Sequence, residues 1–266
     1  DTEGQSPAPA PNVPNHTCRS DASLLNTAYD GSGGRLTSGL DTHWQVALTT
    51  TNIAGAPPGG LSYNAASVLA NPPANYMVSP YNNANWISHA ANGIHPTNVS
   101  YDVFYRYQLN LGPGTDPATL RPRLDFYSDN AVIQIWVNGV AQNIRSNYGA
   151  GDPYFYAGFQ AGSPAAGTLV GPWSSGFNEV VVHVKSGPGA QAFLAQVVLP
   201  QSICQPATIN LNKVTGLMEG GPFGFGLTNT AQKASPSSSS LTCTAKTTSA
   251  GDVSHYMFAD DIHPTP

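Results

Sequence analysis

Charged side chains are scarce in this 266-residue chain, since only 9% of its residues are Asp, Glu, Lys or Arg. That share is about a third of the usual one for a soluble globular protein. Long surface helices need Glu, Lys, Arg and Leu on their exposed faces, so the shortage argues against a helical fold. Glycine (27) and proline (23) are abundant instead. This composition favours short strands joined by many turns and predicts an all-β protein.

The sequence also lacks clusters of Lys or Arg, and its formal net charge is −5. This balance argues against nucleic acid and anionic membrane surfaces as partners. No apolar run reaches the roughly 18 residues needed to span a bilayer, so no membrane insertion is expected. The chain begins with Asp1. We therefore expect a mature, extracellular protein whose signal peptide has been removed.

Cysteine is rare, with three residues at Cys18, Cys204 and Cys243. Cys18 and Cys204 flank the largest strand-rich region, and a disulfide between them would tie both ends of one domain together. We predict this bridge from their placement. Two alternatives stay open: Cys243 pairs with one of the other two, or all three are unpaired buried thiols.

Metal-binding motifs are missing as well, because the seven histidines are scattered and no His-x-x-x-His or Cys-x-x-Cys pattern occurs. A transition-metal site is therefore not expected. Calcium is the one metal that carboxylates in β-sandwich loops suggest, with Asp125, Asp129 and Asp152 as the candidates. No loop carries a calcium motif, and aspartates that cap turns are the competing interpretation. No other cofactor is expected.

Three regions differ in character along the chain. Residues 1–21 are rich in proline and predict an extended tail. Residues 22–200 contain strands separated by turn signals, and they predict a jelly-roll-like β-sandwich. Residues 201–266 predict a small β module with a Ser/Thr-rich connector.

Two stretches carry the strongest strand signals. The segment from Ser100 to Leu111 alternates with a period of two, which is typical of a strand with one buried face. It places Val103, Tyr105, Tyr107 and Leu109 on one side and Phe104, Arg106 and Gln108 on the other. Val132–Val137 is rich in β-branched residues, and the Asn138-Gly139 pair that follows predicts a tight hairpin turn.

Aromatic and polar side chains cluster in the stretch YGAGDPYFYAGF, which runs from Tyr148 to Phe159. Exposed rings stack on the C–H faces of sugars, while Asp, Asn and Arg bind hydroxyl groups. The candidate ligand-binding residues are therefore Trp86, Arg145, Tyr148, Asp152, Tyr154 and Tyr156. For each tryptophan, core packing is the competing interpretation.

The ordered series HW, NWI, YDVFYRYQLNL, DNAVIQIWVNG and GFNEVVVHVKSG covers about two thirds of the chain. It resembles a domain of bacterial surface proteins that is similar to galactose-binding-like jelly rolls and the carbohydrate-binding modules built on them. The segments PATINLNKVTG and GGPFGFGLTNT, which follow at Pro206 and Gly220, resemble the start of prealbumin-like β repeats. These resemblances imply an all-β surface protein and leave the ligand undefined.

The last residues, FADDIHPTP, resemble the C-terminal segment of GDSL-type esterases. That resemblance implies catalytic roles for Asp260 and His263, but a serine in a Gly-Asp-Ser block is also required, and none occurs here. A second His-Pro-Thr occurs at His95-Pro96-Thr97, which suggests that the tripeptide is a turn. An enzyme is therefore not the favoured interpretation.

Three functions are compatible with these features of the sequence. The favoured one is an extracellular structural or adhesive surface protein, such as a filament subunit, whose sheet edges contact other copies or neighbouring surface proteins. The first alternative is a carbohydrate-binding module with glycans as partners. The second is a fragment of an SGNH/GDSL-type esterase that uses Asp260 and His263.

Overall fold

A computed structural model describes residues 13–16, 22–112 and 114–198, and these residues form an all-β fold. Two short 3₁₀ helices, Ala22–Leu25 and Pro153–Phe155, interrupt the strands. No helix in this described part of the chain is long and apolar enough to cross a membrane. The strands are β1 (Asn15–His16), β2 (Leu40–Thr49), β3 (Asn64–Val68), β4 (Ile87–Ser88), β5 (Tyr101–Leu111), β6 (Arg123–Asp129), β7 (Ala131–Val137), β8 (Val140–Ala141), β9 (Ala165–Thr168), β10 (Gly176–Ser186) and β11 (Ala192–Val198).

The strands join in one curled sheet in the order β8-β7-β10-β5-β2-β3-β4-β11-β6-β9. All pairings along this path are antiparallel. The curl brings the two halves face to face: the ring of Phe193 on β11 lies 5.6 Å from that of Trp44 on β2 and 5.2 Å from that of Tyr105 on β5. The predicted all-β fold is confirmed, and its architecture is consistent with a β-sandwich or jelly roll.

The alternation in β5 is reproduced by the structure. Val103, Tyr105, Tyr107 and Leu109 lie in the main core between the two halves of the sheet. Phe104 points to the opposite face, where it packs with Trp136 of β7 and Val181 of β10. Side chains from the loop after β2 cover this second cluster, namely Ile53, Leu61 and Tyr63. The centre of the sheet is therefore buried on both faces.

The hairpin predicted at Asn138-Gly139 is present between β7 and β8. Asn138 has a φ of 49° and Gly139 a φ of 78°, and two positive φ angles are what a type I′ turn requires. The Asn138 side chain also accepts a hydrogen bond from the backbone N–H of Glu179 at 2.8 Å. The turn is thereby fixed against β10.

Part of the predicted N-terminal tail belongs to the sheet. Asn15 and His16 pair in parallel with Asn110 and Leu111 at the end of β5. His16 Nε2 lies 3.1 Å from the Tyr107 hydroxyl oxygen. The strands at the two ends of the sheet order are short, two residues in β8 and four in β9. Short edge strands leave few backbone groups open to pairing with another chain.

Several predictions fall outside the described residues. These are the disulfide between Cys18 and Cys204, the state of Cys243, the β module over residues 201–266, and the esterase-like pair Asp260 and His263.

Candidate functional site

A cavity of about 210 Å³ opens between four connecting segments on one side of the sandwich. Asp129 ends β6, and Asn130 links it to β7. Tyr76 comes from the loop after β3, Tyr154 and Phe155 come from the second 3₁₀ helix, and Gly187 follows β10. We call this cavity the Tyr76 pocket. Its lining residues are Pro73, Asn75, Tyr76, Asp129, Asn130, Tyr154, Phe155, Phe159, Gly187, Pro188 and Ala190.

Aromatic rings support one side of the pocket. The Tyr76 ring stacks on that of Phe159, with 5.1 Å between ring centroids and an interplanar angle of 18°. It also contacts the ring of Trp86, which is buried and donates its indole N–H to the backbone carbonyl of Met77 at 3.0 Å. Packing against the rings of Phe159 and Trp86 holds the Tyr76 ring in place.

A carboxyl group lies beside these rings. The Tyr76 hydroxyl donates a hydrogen bond to the Asp129 carboxylate. Burial raises the pKa of Asp129 to about 7, although the hydrogen bond from Tyr76 acts in the opposite direction. Burial also raises the pKa of Tyr76, and the charge of Asp129 adds to that effect. The pocket therefore contains a carboxyl group that changes its charge near neutral pH.

The Asn130 side chain forms hydrogen bonds with two loops of the pocket, one that contains Tyr156 and one that follows β10. Its Nδ2 donates to the backbone carbonyl of Tyr156 at 2.9 Å, and its Oδ1 accepts from the Gly187 N–H at 2.7 Å. The loops come very close: a Cβ on Gly158 would lie 2.3 Å from the Asn130 carbonyl oxygen, and one on Gly187 would lie 2.4 Å from that of Tyr154. Glycine is needed at both positions for this approach.

Tyr154 connects the pocket wall to a buried polar cluster on the outer face of the sheet. Its hydroxyl donates to Asp102 Oδ2 at 3.0 Å and lies 3.0 Å from the Lys185 amine, which donates to it. Asp102 Oδ1 also lies 2.6 Å from His183 Nε2. The neighbouring Phe155 side chain remains 70% exposed. These hydrogen bonds to Tyr154 thus fix the second 3₁₀ helix, which carries the exposed Phe155 ring beside the pocket.

Electrostatics in this cluster favour a charged aspartate and a neutral histidine. Burial alone would raise the pKa of Asp102, but hydrogen bonds from His183 and the Ile53 N–H, together with the charge of Lys185, lower it. Burial lowers the pKa of His183 despite its contact with Asp102. The His183 ring is completely buried and stacks on Phe104 with 4.3 Å between centroids. Its role is therefore structural.

The sequence-predicted ligand residues separate into two groups. Tyr154 lines the pocket, and Tyr156 is attached beside it through Asn130. Arg145 lies over the ring of Tyr148 at 5.3 Å, and Tyr148 meets Tyr156 edge to face at 6.3 Å. These contacts form an aromatic surface next to the pocket.

The other two predicted ligand residues have structural contacts. Trp86 is only 1% exposed, so its ring supports Tyr76 and is not presented to a ligand. Asp152 caps the second 3₁₀ helix by accepting a hydrogen bond from the Tyr154 N–H at 3.0 Å. A capping role is typical of aspartate at such a position.

The three aspartates considered for calcium have separate partners. Asp125 pairs with Arg123 at 2.8 Å, Asp129 accepts from Tyr76, and Asp152 caps the helix. Among residues 13–16, 22–112 and 114–198, no group of three or more His, Cys, Asp or Glu side chains is placed to hold a metal ion.

Sequence reasoning missed Tyr76, Asn130 and Phe155 as pocket residues. The sequence Asp152-Pro-Tyr-Phe contains a signal that could have identified Phe155. An aspartate followed by proline is typical of the start of a short helix, and the aromatic residues after it then lie on a tight turn. Tyr76 lies in a loop that has no periodic pattern. Its proximity to Asp129 depends on tertiary packing alone.

No protein-family model and no curated protein matches the sequence. Among solved structures, the chain is similar to a β-glucosidase from Kluyveromyces marxianus in complex with glucose, with 14% identity and a TM-score of 0.29; the match covers 67% of this chain and 17% of the enzyme. A selenomethionine-labelled structure of β-glucosidase from the same organism gives 10% identity and a TM-score of 0.31, covering 76% and 21% of the respective chains. The chain thus aligns with about a fifth of each enzyme's length.

Proposed function

We propose that the described domain is an extracellular carbohydrate-binding module and that the Tyr76 pocket takes one sugar ring. The observation that carries this proposal is the exposed ring of Phe155 beside a cavity that also offers the Asp129 carboxyl and the Asn75 and Asn130 amides. A sugar presents an apolar C–H face and a rim of hydroxyl groups. Ring stacking satisfies the first, and carboxyl and amide groups satisfy the second.

The size and charge of the pocket narrow the ligand class. A cavity of about 210 Å³ is below the range of about 300–1,000 Å³ that is typical of drug-sized ligands. One sugar residue of a chain, with its neighbours outside, fits this volume better than a buried oligosaccharide. The pocket lining includes Asp129 and no Lys or Arg, which favours a neutral sugar over an anionic one.

A glycan array probed with the full chain tests the proposal. We expect binding to neutral glycans that share one terminal or exposed sugar, and weaker binding to their sialylated or sulfated counterparts. Binding at a single small site is expected to be weak, so the array should use a multivalent display of the protein. An absence of binding to any neutral glycan at high density would contradict the proposal.

A structural or adhesive role is the second candidate, and the pairing of β1 with β5 favours it. Asn15 and His16 occupy the end of β5 in parallel register, so the fold contains a position that accepts a short strand. The equivalent residues of a neighbouring copy would fit there by strand addition. Light scattering on the full chain tests this: defined oligomers or filaments that are lost when residues 1–16 are deleted would support it, and a monomer would oppose it.

A further inference from the structure

One cluster of reactive side chains lies behind the pocket wall, on the far side of the Tyr154 hydroxyl. The amine of Lys185 lies 2.5 Å from Oδ1 of Asn52 and 3.3 Å from Oδ1 of Asp102. Lys185 is on β10, Asp102 is on β5, and Asn52 is in the loop after β2. An amine, a carboxamide and a carboxylate therefore meet in one place.

We propose that Lys185 and Asn52 form an intramolecular isopeptide bond, with Asp102 moving the protons. This inference does not depend on the proposed sugar binding. It follows from the orientation of the amide, because the hydrogen bond turns the Asn52 carbonyl toward the Lys185 amine. Nucleophile and acyl carbon are held as neighbours within one fold, and such an arrangement greatly raises the rate of an otherwise very slow reaction between amine and amide.

The surroundings of Lys185 suit a nucleophilic amine. The residue is 8% exposed, and its Nζ lies 4.5 Å from the centroid of the Tyr154 ring. Lysine becomes nucleophilic when it is removed from water and when a base lies beside it. Asp102 is the base within reach, and its position is fixed by hydrogen bonds from His183 Nε2 at 2.6 Å and from the Ile53 N–H at 3.0 Å.

The reaction balances without an added reagent. Asp102 takes one proton from the Lys185 ammonium group, and the neutral amine attacks Cγ of Asn52, forming the new N–C bond. A second proton of the amine passes through the Asp102 carboxyl group to Nδ2 of Asn52. The bond between Cγ and Nδ2 then breaks, and ammonia leaves with the remaining proton as ammonium. Asn52 is a solvent-exposed residue, so the ammonia can leave into water.

The bond would join positions that are 133 residues apart in the sequence. It would connect the loop that covers Phe104 and Trp136 to the central strand β10. A covalent link across so long a loop restricts the unfolded chain, as a disulfide does. Unlike a disulfide, it resists reducing agents.

Mass spectrometry of the full, reduced chain tests the proposal. The expected intact mass is lower than the sequence mass by one ammonia. Trypsin should then release one branched species in which Leu36–Arg106 is joined to Ser146–Lys213, because the linked Lys185 is no longer a cleavage site. Fragmentation of this species should place the link between Asn52 and Lys185.

Three variants complete the experiment. Lys185→Arg and Asn52→Ala should show the full mass and separate linear peptides, and they should unfold at a lower temperature than the parent chain. Asn64→Ala, which removes an exposed amide on β3, should keep the branched species. A parent chain with its full sequence mass would overturn the proposal. So would an ammonia loss that maps elsewhere, for example to a succinimide at Asn138-Gly139.

Discussion

The Tyr154 hydroxyl donates a hydrogen bond to Asp102 at 3.0 Å and so joins the wall of the Tyr76 pocket to the buried centre of the sheet's outer face. Asp102 is 1% exposed, whereas Phe155, next to Tyr154, is 70% exposed. The Tyr154 hydroxyl therefore connects the buried Asp102 to the short helix that carries Phe155, whose ring we expect to contact ligand. This placement lets the fold hold an exposed aromatic side chain without burying it.

Tyr154→Phe tests this link, since it removes the hydroxyl and keeps the ring. Asp102 loses one hydrogen-bond donor, and a hydrogen bond to a charged group contributes about 1.5–3 kcal/mol. We expect a loss of that order in the free energy of unfolding, measured by urea denaturation, together with weaker sugar binding. Tyr148→Phe is the matched control. Its ring meets Tyr156 edge to face, and the change should alter stability by less than about 0.5 kcal/mol. Equal effects of the two variants would show that the hydroxyl of Tyr154 does not hold the wall.

Phe155→Ala tests the stacking surface. The side chain is largely exposed, so its removal should cost little stability, while loss of a ring that stacks on sugar should weaken binding about tenfold. Calorimetric titration with the best glycan from the array gives this ratio. Phe177→Ala is the control, because Phe177 is also an exposed phenylalanine, at 53%, but lies on β10 and does not line the pocket. Similar losses in both variants would argue against stacking on Phe155.

The sequence was sufficient to predict β5 and the hairpin between β7 and β8, but not the pocket. The period of two in β5 and the Asn138-Gly139 turn are local signals, since each depends on residues adjacent in the chain. Tyr76 and Asp129 are 53 residues apart, and no periodic pattern relates them. Trp86 shows the opposite difficulty: its aromatic ring suggested a binding surface, and only packing reveals that it is buried. Pocket residues on loops depend on tertiary contacts that one sequence does not display.

Gly158→Ala tests the close approach of the two loops. A Cβ there would lie 2.3 Å from the Asn130 carbonyl oxygen and 2.6 Å from that of Ser128. Both are backbone atoms, and Ser128 cannot easily move because it pairs with Phe193 in the sheet. We expect about 1–3 kcal/mol of destabilisation and reduced sugar affinity as the loop shifts outward. Gly162→Ala is the matched control, because a Cβ at that position meets nothing within 4 Å. It should be close to neutral, and a neutral Gly158→Ala would show that the two loops are not in close contact.

Asp129→Asn tests the buried carboxyl through the pH dependence of stability. The folded pKa of Asp129 is raised to about 7, so its protonated form favours folding. That contribution is fully present below the unfolded pKa of about 4 and is lost as pH rises through 7. Asparagine is neutral throughout. Relative to the parent chain, the variant should therefore gain stability between about pH 4 and 8, by roughly 4 kcal/mol at most.

Urea denaturation of both proteins at each pH gives this difference directly. Asp41, whose pKa burial raises to about 6, titrates in both proteins and therefore cancels in the comparison. Asp30→Asn is a useful control: hydrogen bonds, first from the Ser32 N–H, lower the Asp30 pKa, so its contribution is lost only in acid below about pH 4. Its difference from the parent chain should be constant between about pH 5 and 8. A constant difference for Asp129→Asn over the same range would mean that Asp129 stays charged. The preference for neutral sugars would then depend on a permanent negative charge in the pocket, and binding should show no pH dependence there.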